Sequence, residues 1–121
     1  MSTRKKQAYS QKVASIAGKE ISSKGYVSPI DLLIGLGWLT EVKLMDWKMG
    51  KVTYLERVVT ANLSKLTKTM KEFRAWATHA NLKPSRTVYK HKNWLLRFSK
   101  SGNPTIEEAY STHYTLQRNE V

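Results

Sequence analysis

Residues 53–80, TYLERVVTANLSKLTKTMKEFRAWATHA, form the longest stretch of helical spacing in the chain. At about 100° per residue, Leu55, Val59, Leu66, Met70, Phe73, Ala77 and Ala80 fall on one stripe. Arg57, Lys65, Lys68 and Lys71 gather on the other side, interrupted by Glu72. The pattern predicts one long amphipathic helix, with its apolar stripe on the core and its lysines toward water or a partner. Asn81 and Pro84 end it.

Upstream, Tyr9, Val13, Ile16, Ala17 and Ile21 recur at helical spacing, predicting a helix from Gln7 to about Ser23 with Gly25 as its stop. Residues 1–6 are polar and basic, and read as a flexible arm before a single domain over 7–121. In SPIDLLIGLGWL, Ser28 as N-cap, Pro29 in the first position and Asp31 in the first turn start a short helix. Gly35 and Gly37 weaken that helix and supply a turn. Thr40 caps a third helix over about 41–49, with Val42, Met45 and Met49 on one face and Gly50 as its stop.

Beyond Pro84 the period changes to two. Residues 87–91 and 94–99 read as a β-hairpin turning at Lys92-Asn93, where Asn tolerates positive φ. Trp94, Leu96 and Phe98 are assigned to its inner face. SGNP opens a last helix with Asn103 as N-cap, Pro104 first and Glu107 and Glu108 near its positive end. The predicted fold is α+β and predominantly helical: N-terminal helices packed on one long helix, then a basic hairpin and a short C-terminal helix.

Charge supplies the functional argument. The 121 residues carry 21 Lys and Arg against nine Asp and Glu, a net charge of +12. The excess is uneven: net +5 over 1–25, +4 over 51–80 and +6 over 81–104, against −1 over 26–50 and −2 over 105–121. Lys83, Arg86, Lys90, Lys92, Arg97 and Lys100 stand in a run without a single acid, interleaved with Tyr89, Trp94 and Phe98. Such a run suits a polyanion, with cations on phosphates and rings on sugars or bases. These six bases, with Arg57, Lys65, Lys68 and Lys71, are the candidate nucleic-acid contacts. The bland reading of the same pattern is a solvated charged face.

Within residues 39–59, the short helix ending in Trp47-x-x-Gly50 and turning toward another helix resembles the end of the helix-turn-helix in phage-repressor-type regulators. That resemblance implies a groove-reading helix. Yet Glu41 and Asp46 would meet phosphate repulsion there, and only Lys43 and Lys48 suit base edges. The unit reads better as a packing platform, with Trp38, Leu39 and Trp47 as core or protein-partner contacts. An adaptor that docks an acidic partner is thus the alternative function.

Catalysis has little support. His79, His91 and His113 lack the i, i+4 spacing of a helical metal site, and no hydrolase, P-loop or dinucleotide fingerprint occurs. A metal-independent ribonuclease would need His91, Arg97, Glu107, Glu108 and His113 to converge. No catalytic residue, metal or cofactor is assigned. With no cysteine, no membrane-length apolar run and no apolar leader after MSTRKKQAYSQK, the chain reads as soluble and cytoplasmic. The expected function is non-catalytic nucleic-acid binding through the phosphate backbone, DNA favoured over RNA.

Overall fold

Among the described residues, five helices and two small antiparallel sheets make the fold α+β and predominantly helical. The computed structural model describes residues 2–117, with side chains from residue 10 onward. Ser2–Lys24 (α1) takes in the residues of the basic arm, whose side chains, like that of Tyr9, lie outside the described residues. Gly25 at φ 81° ends α1 and turns the chain into Tyr26–Val27 (β1). Pro29–Gly35 (α2) begins as the sequence predicts. The Asp31 N–H donates to Ser28 Oγ, and the Ser28 N–H donates to the Asp31 carboxylate, each at 3.0 Å.

The apolar character of α2 all round has a simple cause: it lies between two cores. Ile30 and Leu33 join Leu39, Leu44, Trp47, Leu55, Val59, Leu66, Phe98 and Tyr110. Leu32 and Leu36 join Val13, Ala17, Val27 and Phe73 on the other side. Gly35 serves that packing rather than a turn, because a Cβ there would run into Ile16 of α1. Gly37, at φ 79°, does turn the chain. Thr40 then caps Glu41–Lys48 (α3), accepting the Lys43 N–H at 3.2 Å.

The long helix differs from its prediction. It starts at Leu63, not at residue 53, and runs Leu63–His79 (α4). Residues Leu55–Val58 form a separate 3-10 turn. Two effects break the span. Val58, Val59 and Thr60 are consecutive β-branched residues, and a tertiary partner takes the Thr60 N–H that a helix would direct to Glu56. The N–H groups of Leu55 and Glu56 donate to the carbonyls of Arg97 and Phe98, and that of Thr60 to Trp38. Asn62 is free to cap, and its Oδ1 accepts the Lys65 N–H at 2.8 Å. Leu66, Thr69, Phe73 and Ala77 form the buried stripe of α4. Glu72 faces α1, where Ser10 Oγ donates to it at 2.9 Å.

Asn81, at φ 58°, leads into Lys83–Arg86 (β2), an edge strand whose place at the rim tolerates Pro84. Lys90–His91 (β3) and Trp94–Leu95 (β4) form a hairpin shorter than the predicted one. Lys92, at φ 54°, takes the left-handed turn position in place of Asn93. Pro104–Ser111 (α5) has the expected Asn103 cap. It passes directly into Thr112–Thr115 (β5), the centre of a sheet ordered β1-β5-β2. This closing strand has no counterpart in the sequence reading. Among the described residues no helix is long and apolar enough to cross a membrane.

Candidate nucleic-acid interface

The hairpin stands on a ring cluster. Trp47, fully buried, packs on Tyr89 and Phe98 at 5.6 and 5.0 Å between centroids. Its indole N–H donates to the Arg97 carbonyl at 2.8 Å. Phe98 in turn stacks on Tyr110 at 5.4 Å. A single aromatic core therefore fixes both ends of the segment that carries Lys90 and Lys92.

The loop after the hairpin is held by two carboxylates. Glu107 accepts the N–H groups of Phe98 and Ser99, at 2.9 and 2.7 Å, and the Ser99 hydroxyl. Glu56 accepts the Lys100 N–H at 2.9 Å and the Tyr110 hydroxyl at 2.8 Å. Burial, and then the Glu56 carboxylate, push the Tyr110 phenol well above its ordinary value. The backbone donors of Phe98, Ser99 and Lys100 are thus filled by the protein's own acids, while the Lys100 side chain is left exposed.

All ten predicted contact residues are exposed, but they do not form one equivalent set. Lys90 and Lys92 stand at the hairpin tip, and Lys83 and Arg86 on the edge strand β2. Lys65, Lys68 and Lys71 lie on α4, whereas Arg57 sits on the 3-10 turn and not on that helix face. Arg97 is committed locally. Its guanidinium donates to the carbonyls of Ser99 and Lys100, at 2.9 and 3.0 Å, and lies over Tyr54. Arg86 donates to Ser111 Oγ at 2.9 Å and approaches Glu108 at 4.0 Å. Among the described residues, no carboxylate lies within ion-pair distance of Lys83, Lys90, Lys92 or Lys100.

Two assignments of apolar side chains are corrected. Trp94 does not line the inner face of a sheet: it is 74% exposed, beside an exposed Leu95, because a hairpin with two paired residues per strand projects beyond the core. Leu96 and Phe98 do turn inward. Leu39 and Trp47 are core residues and unavailable to a protein partner, while Trp38 is half-buried between the two cores. On α3 it is instead Val42, Met45 and Met49 that face solvent. Their i, i+3, i+7 spacing carried the signal, but the buried face of α3 belongs to Leu44 and Trp47. After Gly50 the chain enters the 3-10 turn, so the second helix implied by the helix-turn-helix resemblance is not there.

The ribonuclease residues have separate partners. Glu107 holds the loop, Arg97 bonds its neighbours' carbonyls, and His91 packs beneath Gly50. The His113 Nε2 meets the Tyr89 hydroxyl at 2.7 Å, and its ring stacks on Tyr26. Among the described residues, no group of three His, Asp or Glu could hold a metal ion. Arg74 is a basic residue that sequence reasoning passed over; it lines the cleft between α4 and α5 with Lys71. Comparison with protein-family models, curated proteins and solved structures finds no match for the chain.

Proposed function

We propose that this protein is a non-catalytic nucleic-acid-binding domain that grips the phosphate backbone, with DNA favoured over RNA. The observation that carries the reading is Trp94, exposed at the tip of an acid-free hairpin beside Lys90 and Lys92. An indole presented to water among unneutralised cations suits an unpaired base, which stacks on the ring while its phosphates meet the lysines. The α3 helix, with Glu41 and an apolar outer face, does not suit groove reading. Recognition by backbone and stacking follows from that combination.

Titration of a single-stranded oligodeoxynucleotide across salt concentrations tests the proposal. Replacing Lys90, Lys92 and Lys100 by Ser should lower the slope of log K against log salt by about 0.7 per lost contact. Trp94→Ser should cost about 1–3 kcal/mol of affinity without changing that slope. An unchanged slope in a folded triple variant would remove the hairpin from the interface. Labelled RNA and DNA should survive incubation with the protein, with or without magnesium. The second reading, an adaptor for an acidic protein, draws on the exposed Val42, Met45 and Met49. It predicts that an acidic protein, and no nucleic acid, co-purifies at low salt.

A further inference from the structure

A cleft of about 790 Å³ opens between α4, β2, β5 and α5. That volume lies within the range of about 300–1,000 Å³ typical of small-molecule sites. Arg74 reaches it from α4 and Arg86 from β2, so two guanidiniums from different elements share one cavity. Arg86 is already oriented, through its Nε bond to the buried Ser111 hydroxyl. Arg74 has no carboxylate within ion-pair distance among the described residues. The lining also offers apolar surface, with Met70 and the Tyr114 ring. That ring is held edge-on by Phe73 at 5.2 Å.

Two guanidiniums beside an aromatic ring match a ligand with a dianionic group at one end and a planar ring at the other. We propose that this cleft binds a nucleoside monophosphate, its phosphate between Arg74 and Arg86 and its base on Tyr114. Glu108, the one acid in the lining, is 4.0 Å from the Arg86 guanidinium and, as a carboxylate, would accept hydrogen bonds from sugar hydroxyls. Inorganic phosphate would use the arginines and leave the apolar wall empty. The same chemistry has two sources, a free nucleotide or the phosphorylated end of a strand. The strand-borne form rests on the hairpin reading above; the free form does not.

Calorimetric titration of the whole protein with dAMP, deoxyadenosine and inorganic phosphate tests the site, with a strand carrying or lacking a 5′-phosphate as the second arm. Saturable dAMP binding is expected, at least about tenfold weaker for deoxyadenosine and for Arg74→Gln, the loss that follows from one charge-assisted bond. Among the described residues Arg74→Gln disturbs no side-chain hydrogen bond, so it remains informative even if Arg86→Gln loosens Ser111 and unfolds. The Lys90, Lys92 and Lys100 triple variant should bind dAMP normally, which separates this site from the hairpin. A preference for the 5′-phosphorylated strand that Arg74→Gln abolishes identifies a strand end as ligand. Dependence on Arg74 with dAMP alone identifies a free nucleotide. If neither dAMP nor the 5′-phosphate is favoured, if Arg74→Gln binds as the parent does, or if inorganic phosphate binds as well as dAMP, the proposal fails, whatever the hairpin does.

Discussion

His113 and Tyr89 join the closing strand to the hairpin through one hydrogen bond, and that bond is tied to protonation. Burial holds the imidazole below its ordinary value of 6.5, with Asp31 opposing and Lys24 reinforcing that shift. Burial, followed by the charge of Asp31, pushes the Tyr89 phenol up to about 12. At neutral pH the bond therefore joins a neutral phenol to a neutral ring. A depressed folded pKa contributes stability above the unfolded value and loses it as pH falls through the folded one. Melting temperature should consequently drop as pH is lowered from 7.5 through 6.5 and below. His113→Gln should start lower and flatten that part of the profile. A parent profile identical in shape to that of the variant would remove His113 from the pH dependence.

At the scale of elements, caps decide what periodicity leaves ambiguous. Ser28, Thr40 and Asn103 were legible as N-caps because the side-chain oxygen that satisfies a helix's orphan N–H is a local matter. The start of α4 was not legible, although Asn62 stood in the sequence, because Leu55 and Val59 keep the helical spacing across the break. What ends that pattern is the docking of residues 55–60 on Trp38, Arg97 and Phe98, contacts more than twenty residues away in sequence. β5 was missed for the same reason, since THYT pairs with Tyr26–Val27 and Lys83–Arg86, strands distant from it in sequence. Of the candidate site, the cations were legible and the exposure of Trp94 was not, because exposure depends on where a strand leaves the core. Asn62→Ala separates the two helix registers by sign. As the cap of α4, Asn62 should lose about 1 kcal/mol of stability on replacement. Inside a helix running from residue 53, the same change would stabilise by a few tenths of a kcal/mol. Denaturant unfolding of the pair of proteins settles which.

For the molecule as a whole, the question is whether two cores behave as one. The net charge of +12 opposes compaction, so apolar burial must hold the fold together against it. That burial is divided. One cluster gathers Trp47, Phe98 and Tyr110 beneath the hairpin; the other gathers Val13, Ala17 and Phe73 between α1 and α4. α2 belongs to both, with neighbouring residues pointing opposite ways: Leu33 into the first and Leu32 into the second, both fully buried. A helix shared in this way cannot leave one cluster without opening the other. Unfolding should then be a single transition, with far-UV dichroism and tryptophan emission coinciding. The emission is well placed to see both sides, since Trp47 lies in the first cluster and Trp76 packs against the second. Leu32→Ala and Leu33→Ala should each cost about 2–5 kcal/mol, and each should shift the whole transition to lower denaturant without changing its steepness. If Leu32→Ala instead split the curve, with the dichroism of α1 and α4 lost before the Trp47 environment changed, the cores would be separate units. The hairpin would then stand on the first core alone, and the nucleic-acid affinity proposed for it would survive in the partly unfolded state.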